Sequence, residues 1–153
     1  MIMNPLDEKI IRFINKHHIL TLASSIGNIP YCCTCFYAFD KKNCSLIFTS
    51  EADTRHHKEM LANTNVSGTI ALETRIIGKI QGIQFTGVSS LPKSEELAEI
   101  RKIYLKKFPY TLPFISTSSF WKIDISHIKM TDNNLGFGKK LLWYRHSEMP
   151  VSN

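Results

Sequence analysis

The chain has 153 residues, 43% hydrophobic and 21% charged, the proportions of one globular domain rather than of a disordered or fibrous chain. Nineteen Lys and Arg against thirteen Asp and Glu give a formal charge of +6 and a pI ≈ 9.2, which favours an anionic partner: a phosphorylated cofactor, nucleic acid or an acidic surface. No apolar run approaches the roughly 18 residues of a membrane span, and the opening residues lack a signal-peptide pattern, so the expectation is a cytoplasmic protein with Cys32, Cys33, Cys35 and Cys44 reduced.

Leu6, Ile10, Ile11 and Ile14 recur at helical spacing, with Asn4 as a candidate cap and Pro5 suited to the first helical position. Beyond His17-His18 the pattern changes to short β-rich runs: Ile19 to Ala23, Tyr31 to Phe39 and Cys44 to Ser50, separated by Gly, Asn and Asp. A second helix is expected from about Thr54 to Ala62, with His57 and Leu61 one turn apart. Val66 to Leu72 and Ile80 to Ser89 read as further strands. A third helix follows Pro92, capped by Ser94, with Leu97, Ile100, Ile103 and Tyr104 as its apolar stripe and Lys102, Lys106 and Lys107 near its negative end. Tyr110 to Ser119 reads as a loop, and Phe120 to Ile128 and Lys139 to Tyr144 as the last strands. Sequential strands joined by short turns favour an antiparallel barrel with flanking helices over a doubly wound sheet.

The stretch Phe48-Thr49-Ser50-Glu51-Ala52-Asp53-Thr54-Arg55-His56 ends a strand in two hydroxyl residues and starts a helix with Thr, Arg and His. A helix start offers free N–H groups and the positive end of the macrodipole, and an Arg can grip a phosphate at two points. Capping by Asp53 or Thr54, with Arg55 solvated, explains the same residues. The cysteines argue little for a metal. On a strand Cys33 and Cys35 face one side and Cys32 the other; no Cys/His pair stands at finger spacing. Cys33 and Cys35 lie about 6.6–6.8 Å apart along a strand, poor for a disulfide, so they read as small core residues and no metal is expected. Gly136-Phe137-Gly138-Lys139-Lys140 lacks the Ser or Thr that a phosphate-binding loop of the Walker type needs after its Lys.

The order of elements, with Phe48-Thr49-Ser50 ahead of Thr54-Arg55-His56, resembles the pyridoxamine phosphate oxidase-like, FMN-binding split barrels over nearly the whole chain. Gly82-Ile83-Gln84-Phe85-Thr86-Gly87 and the run Ile128 to Lys140 resemble most closely the uncharacterised bacterial YhbP-like proteins. The resemblance implies a six-stranded antiparallel split barrel spanning residues 1–153 as one domain, and a homodimer with FMN between its subunits. It places the FMN phosphate at Thr49, Ser50, Thr54, Arg55 and His56, the flavin edge at Gln84 or Gln81, and Lys140 where the oxidases carry an Arg that reaches the flavin of the partner subunit. The chain departs from the oxidases at Cys33 and about Ala38, where they carry cations for FMN, and at Gly136 and Gly138, where they carry the Arg and His that hold pyridoxal phosphate. The resemblance therefore implies a flavoprotein, either an FMN-dependent oxidoreductase of unknown substrate or a non-enzymatic flavin binder, and not a true pyridoxamine phosphate oxidase. The residues also leave two alternatives: a haem-handling split barrel with His56 or His127 as axial ligand, and a basic barrel binding nucleic acid through Lys102, Lys106, Lys107, Lys139 and Lys140. No residue stands out as a general acid or base.

Overall fold

The computed structural model of the chain describes residues 3–115 and 118–146. Helix α1 (Glu8–Lys16) precedes four strands, β1 (Ile19–Ile26), β2 (Ile29–Phe36), β3 (Ala38–Asp40) and β4 (Ser45–Ser50). Helix α2 (Arg55–Ala62), strands β5 (Asn65–Ala71) and β6 (Gln81–Ser90), helix α3 (Leu97–Lys107) and strands β7 (Ser119–Asp132) and β8 (Lys140–Tyr144) complete it. All strand pairs are antiparallel, in the order β2-β1-β5-β6-β7-β4-β3, with β8 also on β7. This is the expected split-barrel class, with eight strands among the described residues rather than six.

The differences from the sequence expectation have local causes. The run Tyr31 to Phe39 divides at Tyr37 into β2, which pairs with β1, and β3, which pairs with β4; Tyr37 still donates its N–H to His18 O at 3.0 Å, and its hydroxyl donates to Ile14 O at 2.6 Å. Helix α1 starts at Glu8, not beside Asn4, because the Asp7 carboxylate accepts from Lys9 N–H at 2.7 Å and caps it. Asn4 instead fastens the N-terminal segment to β8, donating from Nδ2 to Tyr144 O at 2.8 Å while its carbonyl accepts from Trp143 Nε1 at 3.2 Å. Helix α3 starts at Leu97 rather than at Ser94; Glu96 holds its N-cap position. Its buried face is Ile100 and Tyr104, with Leu97 exposed; on α2, His57 and Met60 are buried and Leu61 is exposed. Positions 116–117 of the expected loop lie outside the described residues.

Strand β7 organises the sheet. Along one edge it pairs with β6 over almost its whole length, and its other edge is shared, β4 taking Ser119–Asp124 and β8 taking His127–Thr131. The sheet curls around a core to which Leu20, Leu22, Phe48, Ile70, Phe85, Trp121 and Ile128 all belong. A smaller cluster, with Ala38, Ile47, Tyr104 and Phe120, packs beneath α3. Gly68 on β5 makes the tight curl possible, since a Cβ there would stand 2.4 Å from both the Phe85 ring and Thr21 O.

Arg145 fills the fork where β4 and β8 part. Its N–H donates to Ser126 O at 2.9 Å, and its guanidinium donates to the carbonyls of Ile125, Cys44 and Asn43. Orphaned carbonyls at such a junction are costly, and hydrogen bonds from a charged donor contribute about 1.5–3 kcal/mol each. Because such terms are not additive, Arg145→Met, which keeps the apolar stem, is expected to lower stability by about 2–4 kcal/mol in chemical denaturation. An unchanged midpoint would show that solvent serves those carbonyls equally well.

Candidate functional site

The turn from β4 to α2 concentrates polar side chains. Strand alternation sends Leu46 and Phe48 into the main core and Ile47 into the cluster under α3. Ser50 falls on the first of these faces and Thr49 on the second, where the Thr49 hydroxyl meets Tyr104. Of the five residues expected at the phosphate, the two on the strand are therefore separated by it, and only Ser50 joins the cluster at the start of α2.

Ser50 is buried, and its Oγ is the hub of that cluster, 3.0 Å from Thr54 Oγ1 and 2.9 Å from His56 Nε2. Thr54 occupies the N-cap position, yet its hydroxyl donates back to Glu51 O at 2.8 Å and makes no cap hydrogen bond; Asp53 does not cap the helix either. The backbone N–H groups opening α2 are thus left without a side-chain partner, and the first turn carries no acidic residue. Three polar side chains and the positive end of a helix converge on one place, which is an arrangement that suits an anion.

Arg55 is more committed than its sequence position suggests. Its Nε donates to Glu59 Oε1 at 2.7 Å, and its guanidinium lies 4.4 Å from the centre of the Tyr31 ring. The side chain is 52% exposed, and among the described residues its terminal nitrogens have no hydrogen-bond partner, so a second acceptor can still be gripped. Glu59 is buried and also accepts from Ser24 Oγ at 2.6 Å. The hydrogen bonds from Ser24 and Arg55 hold its carboxyl below the usual carboxylate range. His57, the other histidine of the pair, points into the core; its Nδ1 accepts from Trp121 Nε1 at 3.1 Å, and burial lowers its pKa.

Facing this cluster across a seam is the inner side of β2, where Tyr31, Cys33 and Cys35 alternate inward. The Cys33 and Cys35 sulfurs are 3.8 Å apart, and the ligand-capable atoms of Cys33, Cys35 and His56 all lie within 4.8 Å of one another. The Cys35 thiol, donating to Cys33, lowers the Cys33 pKa, and the same contact with burial raises that of Cys35. Sequence spacing gave no sign of this cluster, because His56 stands 21 positions beyond Cys35 and reaches it only through the fold.

The outer face of the same sheet carries a shallow groove of ≈ 430 Å³ lined by Thr21, Cys32, Thr69, Gln84, Thr86 and His127, among others. The register explains its flatness: Thr21, Thr69, Gln84 and Lys129 form one row across β1, β5, β6 and β7. Gln84 is exposed in this groove, whereas Gln81 donates from Nε2 to Asp132 Oδ1 at 3.0 Å. His127 stacks on Tyr144 with ring centres 4.5 Å apart, and its Nε2 is buried without a hydrogen-bond partner. Burial and the nearby Lys129 lower its pKa, favouring the neutral ring. Lys140 is exposed at the start of β8, opposite Thr131. Ser50 pairs with Ser119, so the two marks are twelve residues apart on β7, roughly 40 Å of strand path.

The basic stripe of α3 is partly spent on the fold. Lys102 approaches Glu99 at 3.7 Å. Lys107 donates to His17 O at 2.5 Å and lies over the Tyr37 ring, with burial pushing its pKa down to about 8.

Comparison with known proteins matches this architecture. No protein-family model matches the chain. It is 41% identical over 143 residues to a UPF0306 protein of Yersinia pestis, covering 93% of this chain and 96% of that one. Among solved structures, a heme-binding protein from Mycobacterium smegmatis superposes with a TM-score of 0.76 at 17% identity, covering 94% of this chain and 60% of that protein's length. A FAD-binding protein from Mesorhizobium loti superposes with a TM-score of 0.68 at 15% identity, covering 85% and 97%. The fold is that of the pyridoxamine phosphate oxidase-like split barrels, and among the described residues no helix is long and apolar enough to cross a membrane.

The Glu59 geometry yields a pH dependence. A carboxylate whose pKa is depressed in the folded state stabilises it above the unfolded value, here 4.5, and that contribution is lost as pH falls through the folded value. Glu59→Gln is therefore expected to be less stable than the wild type at neutral pH, with the difference shrinking in acid below pH 4.5. Urea denaturation at a series of pH values checks this; a gap that persists in acid would trace the loss to packing instead of charge.

Proposed function

The chain belongs to the UPF0306 family, and from that membership and the geometry above we propose that it is a flavin-binding protein that takes FMN at the start of α2. The observation that carries the reading is the uncapped N-terminus of α2, where Thr54 gives its hydroxyl to Glu51 O and Ser50 and His56 are hydrogen-bonded to each other beside it. A dianionic phosphate supplies what that terminus lacks, and Arg55 adds a second charged grip from its free nitrogens. Thr49 lends no hydroxyl to the phosphate in this reading, since that hydroxyl lies across the strand beside Tyr104.

The flavin ring then lies toward the outer groove, where Gln84 supplies an amide for its edge. That groove is too open to enclose a planar ring, and ligand sites usually bury most of their ligand. A second copy of the chain closes it in this reading. Lys140 pairs with β7 twelve residues along from the partner of Ser50, and in this reading a two-fold related copy presents it to the site. Exposed Leu142 and Phe137 beside it form an apolar margin of the kind an interface covers. The flavin would supply redox chemistry, and this chain's residues would bind and orient it. The activity is that of an oxidoreductase only if a substrate site exists beside the ring. Pyridoxamine phosphate is not the expected substrate, because Gly136 and Gly138 offer its phosphate no cation.

The test is an FMN titration. Arg55→Ala is expected to weaken binding by about 1.5–3 kcal/mol, the range for a charge-assisted hydrogen bond. Mixing Arg55→Ala chains with Lys140→Ala chains should restore part of the binding, since each mixed dimer then carries one intact site. Equal affinity in wild type and Arg55→Ala, or a monomer in sedimentation that still binds FMN, would contradict the arrangement.

One observation favours a second reading, haem. His127 lines the groove, its pKa is lowered, and its Nε2 has no hydrogen-bond partner among the described residues; in this reading the ring turns off Tyr144 to present that buried nitrogen to the iron. A Soret band in the purified protein that disappears in His127→Ala would support it over flavin.

A further inference from the structure

We propose that Cys33, Cys35 and His56 form a Zn²⁺ site at the seam between β2 and the start of α2, with the fourth coordination position open. The inference goes beyond the flavin reading and does not rest on it, although the two share His56.

The sulfur spacing carries the argument. Two Zn–S bonds of about 2.3 Å at a tetrahedral angle hold their sulfurs about 3.8 Å apart. The Cys33 and Cys35 sulfurs are 3.8 Å apart. A disulfide needs sulfurs at about 2.05 Å, and two positions apart on an extended strand is at the outer limit of its backbone span. The strand therefore presents the two thiols as a pair of ligands that do not bond to each other. The third ligand comes from a different element: the His56 ring lies with them inside a 4.8 Å sphere of mutual distances, so a small rotamer adjustment completes the triangle. Its orientation is already set by the Ser50 hydroxyl at 2.9 Å, the kind of outer hydrogen bond that positions a ligating imidazole.

Ligand type narrows the ion. Two thiolates and an imidazole suit Zn²⁺ and reject Mg²⁺ and Ca²⁺, which take oxygen. Both sulfurs bind as thiolates, and with Zn²⁺ and a neutral imidazole they make a neutral complex, so no buried net charge results. Cys35 is buried and Cys33 half-buried, which gives the ion a way in from the seam. Among the described residues no fourth Cys, His, Asp or Glu joins the group, so the remaining position is left to water or to a ligand, as in zinc sites that do chemistry or bind small anions.

Cobalt tests this directly. Chelator-treated protein titrated with Co²⁺ should take up one equivalent and show thiolate-to-cobalt charge transfer with strong visible bands of a tetrahedral site, all displaced by Zn²⁺. Loss of an outer partner typically costs a zinc site 10–100-fold in affinity, so removing a ligand should cost at least about 100-fold. Cys33→Ser and His56→Gln should each do so with an unchanged circular dichroism spectrum, which keeps the test decisive even where Cys35→Ser fails to fold. Cys32→Ser and Arg55→Ala should leave the cobalt spectrum intact, and the second of these separates the zinc site from the flavin phosphate grip. A weak octahedral spectrum, or tetrahedral bands that survive Cys33→Ser, would overturn the proposal whether or not the protein binds FMN.

Discussion

The arrangement depends on one strand being long enough to serve two partners along the same edge. Strand β7 pairs with β4 near its start and with β8 near its end, while β6 runs along its other side. That division forces a fork, and the fork must be satisfied by something other than a strand. Arg145 meets the need with hydrogen bonds to four carbonyls, and Asn4 ties the N-terminal segment to the same place. Asn4 and the segment Trp143 to Arg145, far apart in sequence, are thereby joined beside β7. The same division sets the partners of Ser50 and Lys140 twelve residues apart along β7.

The site follows from a second constraint, that strand neighbours face opposite ways while helix neighbours fan out. Ser50 faces the seam and Thr49 does not. On α2, three successive residues take three different roles: Arg55 lies over Tyr31 and pairs with Glu59, His56 joins Ser50, and His57 enters the core against Trp121. A turn of helix carrying three cationic or titratable residues is thus resolved into one surface grip, one site residue and one core residue. The buried Glu59 holds the arrangement, since it anchors Arg55 and accepts from Ser24 on β1. The FMN proposal and the zinc proposal both draw on this local order, one through the amides of α2 and the other through the face His56 turns to β2.

What the sequence made legible was local. The helix stripe of α1, the turn residues between strands and the polar start of α2 are all readable from spacing, and Ser50, Thr54 and His56 do converge. Strand parity could have separated Thr49 from Ser50, and the i,i+4 relation of Arg55 and Glu59 could have shown that the arginine had a partner in its own helix. Other features were not readable because they arise from contacts between distant segments. Asn4 looked like a helix cap because its actual partner, Tyr144 O, lies 140 residues away, and Asp7 takes the cap instead. The extension of β7 to Asp132 depends on β6 and β8 being present to pair with it. The thiol–imidazole cluster needs α2 laid against β2, a packing relation that no spacing rule encodes. Relatives at 41% identity fix the family, whereas solved neighbours at 17% and 15% identity share a fold and are named for different ligands, haem and FAD, so the ligand here depends on this chain's own groups.

The FMN proposal rests on the uncapped start of α2 receiving a phosphate. The most direct measurement is a comparison of FMN with riboflavin, which has the same ring system and no phosphate, by amide ¹H–¹⁵N spectroscopy of labelled protein. If the claim holds, FMN shifts the backbone amides of Arg55, His56 and His57 strongly and riboflavin leaves them nearly unmoved. If the two ligands perturb those amides equally, or neither does, the start of α2 is not a phosphate site.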